Sequence, residues 1–142
     1  MKLSQLDDLA SLRGLLLGEA EGEDFIGNVL VACVVRTRLQ DKRWPDTWKE
    51  VIFQKGQFSC MDVLPRDGDI QLEYVKRYFT HRWDNRDFRE AHFAAWGVLC
   101  NWYVDVAKGA NHYHADWMKE YPYWSEGQTP VLHYGKHIFY KL

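Results

Sequence analysis

No apolar run in this 142-residue chain approaches the ~20 residues needed to cross a bilayer, so no membrane span is expected. The opening stretch, Met1-Lys2-Leu3-Ser4-Gln5-Leu6-Asp7-Asp8, sets acids where a secretory leader needs its apolar region. Cytoplasmic synthesis without a signal peptide is the corresponding expectation. Basic charge is equally undeveloped: 18 Lys and Arg stand against 20 Asp and Glu, dispersed along the chain for a net charge of −2. That leaves no electrostatic footprint for nucleic acid. Cysteine is sparse. Cys33, Cys60 and Cys100 are odd in number, widely spaced and free of any CxxC, which argues for reduced thiols and against a disulfide framework. Repeats, low-complexity tracts and linkers are missing too. A single domain over residues 1–142 is expected, monomeric and large enough to bury roughly two thirds of its unfolded surface in one core.

Aromatic residues are what the chain has in excess. They make up 15% of it, and seven are Trp. Some of these rings must build the core. The others can line a groove, because flat rings pack against the apolar faces of sugars and bases alike. Without a basic patch, sugars are the favoured ligand.

Local patterning predicts a helix-rich domain. Ser4-Gln5-Leu6-Asp7 resembles an N-terminal cap, and Leu6, Leu9, Leu12 and Leu16 then recur at helical spacing. This first helix runs into Gly18, which puts Glu19 near its end. A second helix is expected from Asp24 to about Leu39; its centre, Val29 to Val35, is apolar all round and therefore buried. Thr47-Trp48-Lys49-Glu50 reads as a capping box opening a short helix through Phe53. Lys55 to Asp69 reads mostly as loop, and helical spacing returns from Gln71 to Trp83. Asp84 is expected to cap a longer helix with Phe88, Ala91, Ala95, Leu99, Trp102 and Val106 on one side and Gly109 as its C-cap. Val131 to Tyr134 and His137 to Tyr140 flank Gly135-Lys136, the pattern of a two-residue hairpin. The expected class is α+β, mainly α, with a small C-terminal β-hairpin.

Gly18-Glu19-Ala20-Glu21-Gly22-Glu23 breaks a local rule. Acids at a helix C-terminus face the negative end of the macrodipole. A chain accepts such a penalty in a solvated acidic turn, or at a site that uses the charge or its raised pKa. On a continuing helical turn Glu19 and Glu23 would share a face and Glu21 would point elsewhere. Glu23 is then either a second carboxylate or the cap of the following helix.

Several motifs fall in one order: this acidic stretch, the apolar helix ending Val35-Arg36-Thr37-Arg38, then Gly56-Gln57-Phe58-Ser59, Gly109-Ala110-Asn111-His112-Tyr113 and Gly135-Lys136-His137-Ile138-Phe139. Their order and spacing resemble the cell-wall hydrolase family that includes the spore cortex-lytic enzymes and their phage-encoded relatives. The likeness runs from about Leu12 to Tyr140. It implies a lysozyme-like domain related to the lytic transglycosylases, acting on the glycan strands of peptidoglycan. Three positions depart from the family pattern: Glu21 stands where a basic residue is usual, Thr37 where Asn is usual, and His114 where a second aromatic is common.

The resemblance implies that Glu19 is the catalytic acid. Glycosidic cleavage needs a carboxylic acid still protonated near neutral pH, able to protonate the departing oxygen. The helix end, Leu neighbours and the like charges of Glu21 and Glu23 are expected to raise the Glu19 pKa. In the family's transglycosylase route one carboxyl suffices; plain hydrolysis would require a second, for which Glu23 is the candidate. Gln57, Phe58 and Ser59 are expected to bind substrate, as polar groups beside a ring suit sugar recognition. Ser59 lacks the G-x-S-x-G surroundings of a nucleophile. Tyr113 and His112 are expected to hydrogen-bond the substrate or the acid.

His112 and His114, two residues apart, and His133 and His137, four apart, raise the question of zinc. The second pair spans a turn, and no HExxH occurs, so neither a metal nor a cofactor is expected. Two other readings stand beside the enzyme: a non-catalytic carbohydrate-binding or phage structural module, and a zinc-dependent amidase or peptidase acting on the peptide stems. For the glycan-cleaving enzyme, the expected setting is a phage endolysin, made in the cytosol and reaching the wall after release through a holin.

Overall fold

The structure is a computed structural model describing residues 1–142. Six helices precede or flank a three-stranded sheet: α1 (Asp8–Glu19), α2 (Phe25–Leu39), α3 (Trp48–Ile52), α4 (Ser59–Asp62), α5 (Leu72–Tyr74), α6 (Arg86–Leu99), β1 (His112–Ala115), β2 (Leu132–Tyr134) and β3 (His137–Tyr140). The expected class, α+β and mainly α, is the class observed. No helix is long and apolar enough to cross a membrane.

α1 begins one turn later than the Ser4 motif suggests. Asp7, not Ser4, is its cap: the Asp7 carboxylate accepts from the Ala10 N–H at 2.7 Å, while Ser4 lies in a separate 3₁₀ turn, Leu3–Gln5. Asp24 opens α2 in the same way, accepting from the Gly27 N–H at 2.9 Å. Val31 through Val35 are fully buried, so the apolar stretch is a central helix rather than a strand. α1 and α2 both pack against α6.

α6 differs from its sequence reading at both ends. Asn85, not Asp84, caps it by accepting from the Phe88 N–H at 2.9 Å. At the other end Asn101 takes a left-handed φ of 55°, and the Asn101 and Trp102 N–H groups turn back to Val98 and Gly97 carbonyls. The helix therefore stops at Leu99, well short of Gly109. Tyr103 folds over Gly97, where any side chain would collide with its ring. Trp102 and Val106 lie beyond the helix and are exposed. Gly109 instead closes a later turn in which the Asp105 carboxylate accepts from the Ala107 and Gly109 N–H groups.

The segment expected to be helical from Gln71 to Trp83 is shorter as well. α5 continues as a π-helical stretch, Val75–Phe79, and ends where Thr80 becomes extended and its hydroxyl donates to the Val75 carbonyl at 2.9 Å. Phe79 packs onto Gly14 of α1, which leaves the space that the ring occupies. The 55–69 loop carries one helical turn, α4.

β2 and β3 form the expected hairpin around Gly135-Lys136, with Gly135 at φ 56° and Tyr134 opposite His137. β1 joins as a third strand, antiparallel to β3 in the order β1-β3-β2, with Tyr113 opposite Phe139. The helices and the inner side of β3 share one cluster of 31 buried residues, among them Leu16, Val34, Phe88 and Phe139. Cys33, Cys60 and Cys100 are all free thiols.

Candidate active site

α1 ends at Glu19, and the chain turns away through Gly22 at φ 80° before Asp24 starts α2. No helical turn continues past Glu19, so the condition under which Glu19 and Glu23 would share a helical face is not met. The Glu19 side chain lies recessed in a cleft of about 1120 Å³. Tyr113 donates its hydroxyl to Glu19 Oε2 at 3.2 Å, and the Cys60 thiol donates to Oε1 at 3.4 Å. Burial raises the Glu19 pKa; hydrogen bonds from Cys60 and Tyr113 and the charge of Arg38 pull the other way. Of the expected causes, burial is the one that acts, and the like charges do not. Glu21 is exposed and faces Arg77 at 3.6 Å, and Glu23 is turned elsewhere, so desolvation rather than like charge raises the pKa.

Glu23 is neither a helix cap nor a free carboxylate. Asp24 has the cap position. Glu23 is only 9% exposed and reaches under the hairpin, where Oε1 accepts from the Lys136 N–H at 2.8 Å and lies 3.4 Å from His137 Nδ1. Gly135 is required there, because a side chain on it would run into Glu23 Oε2. The neighbouring Tyr134 hydroxyl donates to Asp24 at 2.6 Å. Two adjacent acids thus fasten the β2–β3 turn to the start of α2.

All seven residues singled out in the sequence line this one cleft: Glu19, Glu23, Gln57, Phe58, Ser59, His112 and Tyr113. Ser59 is the first residue of α4 rather than a loop residue. Phe58 is buried, with its ring 5.2 Å from the Arg38 guanidinium, and Gln57 accepts from Arg38 at 3.3 Å. Tyr113 is kept a neutral phenol, its pKa pushed well up by burial and by Glu19.

Arg38 is the residue that sequence reasoning passed over. It is 5% exposed, donates from Nε to the Asn111 carbonyl at 2.8 Å, and stacks against Trp44 as well as Phe58. It ties the end of α2 to the Gln57 turn and to the start of β1, and it brings a positive charge toward Glu19. Its only signal was its place in the Arg36-Thr37-Arg38 ending, where basic residues also suit the helix dipole. Arg36, two residues earlier, turns the other way and donates to the Val98 carbonyl in the last turn of α6 and to the Tyr103 carbonyl beyond it. Trp117 and Tyr123, 74% and 88% exposed, add unburied rings to the cleft wall.

The histidines disperse. His112 Nδ1 meets Asn111 Oδ1 at 2.8 Å; the Asn111 amide is oriented by its two hydrogen bonds with the Leu142 backbone, so the ring proton sits on Nδ1. Burial, with Arg38 and Arg43 nearby, lowers the His112 pKa to about 4. His114 bridges the Ala115 carbonyl and the Tyr140 hydroxyl, His133 pairs with Asp116, and His137 with Glu23. No group of three or more His, Cys, Asp or Glu is arranged to hold a metal ion.

The family described as Cell Wall Hydrolase matches residues 22–140, a span that begins three residues after Glu19. A spore cortex-lytic enzyme of Bacillus subtilis is 29% identical over 133 residues, 94% of this chain and 37% of that protein. Another, from Oceanobacillus iheyensis, is 37% identical over 67 residues, 47% of this chain and 23% of that protein. The chain therefore spans well under half the length of these curated relatives. Among solved structures, the catalytic domain of the germination-specific lytic transglycosylase SleB from Bacillus anthracis superposes with a TM-score of 0.67 at 25% identity, covering 94% of this chain and 93% of that one. The catalytic domain of Bacillus cereus SleB does so at 0.66 and 23%, covering 94% and 89%, and shares the fold.

Proposed function

The chain belongs to the cell wall hydrolase family, and on that footing we propose that it is an enzyme cleaving the glycan strands of peptidoglycan, with Glu19 as its general acid and then base. The observation that carries this reading is the Glu19 carboxyl itself. It lies in the cleft, has its pKa raised by burial, and has a donor on each oxygen. In the proposed route Glu19 gives its proton to the glycosidic oxygen as the C1–O bond breaks. The resulting carboxylate then takes the proton of the same sugar's C6 hydroxyl while that oxygen bonds to C1. The product is a 1,6-anhydro sugar, and the acid is regenerated.

The position of Glu23 supports one carboxyl over two. Hydrolysis needs a second carboxylate free to activate water or to attack C1. Glu23 is engaged by the Lys136 N–H and His137. Mass spectrometry of digested peptidoglycan tests the proposal: anhydro-sugar ends are expected, reducing ends would point to hydrolysis, and cut peptide stems would overturn it. A phage setting is a further part of the proposal; it rests on the motif resemblance to a family that includes phage-encoded members, while the relatives compared above are spore cortex-lytic enzymes of bacteria. Co-expression with a holin tests it, with lysis expected only when both are made.

A further inference from the structure

Glu19 has a donor on each carboxyl oxygen, and the two donors differ in kind. Tyr113 offers a phenol to Oε2 and lines the cleft, whereas Cys60 offers a thiol to Oε1 and does not line it. The thiol reaches that place because Gly18, one residue before the acid, has no side chain. A Cβ there would lie 2.6 Å from Cys60 Sγ and 2.7 Å from Cys60 Cβ. α4 holds Cys60 in this notch, anchored by the buried Met61 beside it. The proposed chemistry has no use for a thiol as nucleophile. Burial next to Glu19 pushes the Cys60 pKa far up, so it stays protonated and able to donate.

We infer that Cys60 is a positioning residue for Glu19: from the notch over Gly18 its thiol holds Oε1 and leaves Oε2 to the cleft wall at Tyr113. The inference rests on the reading of Glu19 as the acid. A thiol is a weak donor. It fixes the orientation of the carboxyl and draws its pKa down, and a hydroxyl in the same place, as the stronger donor, would favour the anion further. The other groups that face Glu19 are Arg38 from α2 and Tyr113 from β1, and both already favour the anion. Near the same end of α1, Glu21 and Arg77 face each other. With two such groups in place, a third strong donor would act against keeping the proton.

The variants Cys60→Ser and Cys60→Ala test this in the folded protein. Carbon NMR titration of the Glu19 carboxyl, without substrate, reads its pKa directly. The Ser variant is expected to titrate about half a pH unit below the parent and the Ala variant about as far above it, the scale of one weak hydrogen bond. The alkaline limb of wall lysis is expected to move in the same order. Coincident titrations, or Ser above the parent, would overturn the inference. If Cys60→Ala does not fold, the comparison of Ser with the parent decides. Titrations in the expected order without any wall lysis would retain the role of Cys60 toward Glu19 and remove the glycan-cleaving reading instead.

Discussion

Tyr113 and Glu19 lie 94 residues apart in the chain and meet at 3.2 Å. The contact joins the last residue of α1 to the second residue of β1, the strand that pairs with β3. It brings a phenol that burial keeps neutral against a carboxyl whose pKa burial raises. The hairpin that contains β3 is in turn fastened by Glu23, so Glu19 and Glu23 have different work: Glu19 presents its carboxyl to the cleft and Glu23 holds the wall beside it.

Glu19→Gln keeps the size of the side chain and removes its transferable proton. Wall lysis is expected to fall at least about 100-fold, the lower range for general acid catalysis, in a protein that stays folded. The Glu19 pKa is raised on folding. Its contribution to stability is therefore present below the ordinary carboxylate range and lost as pH rises through the raised value. The Gln variant lacks this loss, so its denaturation midpoint relative to the parent should improve from pH 4 to pH 7. Near-parental turbidity clearance by Glu19→Gln would remove the assignment.

Glu23→Ala strips the acceptor from the part-buried Lys136 N–H and loosens the β2–β3 turn. A stability loss of about 1–3 kcal/mol is expected. Gly135→Ala should lose a similar amount, since it combines a positive φ with a collision at Glu23. Products released by the folded fraction of Glu23→Ala should remain anhydro sugars. Loss of all lysis with an unchanged unfolding curve would instead make Glu23 a second catalytic carboxylate.

Trp117 and Tyr123 stand mostly in solvent, so Trp117→Ala and Tyr123→Ala should change stability by no more than about 0.5 kcal/mol. As platforms for sugar rings they should matter to binding. In the Glu19→Gln background, co-sedimentation with insoluble peptidoglycan is expected to weaken roughly fivefold to tenfold for each. Unchanged sedimentation would leave both rings without a part in substrate binding.

His112 has a pKa lowered from 6.5 to about 4 in the folded chain. The unfolded state binds the proton more readily between those values, so the stability it contributes is present above pH 6.5 and lost as pH falls through 4. Urea midpoints measured from pH 7 to pH 4 should decline less steeply in His112→Gln than in the parent. Parallel declines would show that His112 titrates normally.

Much of this molecule was legible because its signals are local. A fully apolar stretch from Val29 to Val35 has to be buried, and Gly135-Lys136 between two short β-prone runs closes a hairpin whatever surrounds it. Gly18 and the turn after it put an acid at a helix end. The same local signals failed where two neighbours competed. Asn85 and Asp84 are both good caps, and Asn101 is a left-handed stop that the continuing spacing of Trp102 and Val106 concealed.

What composition and periodicity determined by themselves was the class, the buried second helix and the hairpin, while the residues expected near Glu19 came from the motifs that carry the family resemblance. What only the tertiary structure decided was how each is used: that Glu23 grips Lys136 and His137, that Arg38 lies between Trp44 and Phe58, and that Cys60 sits behind the acid. The contacts of Glu23 with Lys136 and His137, of Arg38 with Phe58 and of Cys60 with Glu19 join residues 20 to 114 positions apart. Capping, turn chemistry and helical period act over a few residues, whereas desolvation and hydrogen bonding at Glu19 depend on which distant side chains packing delivers to it.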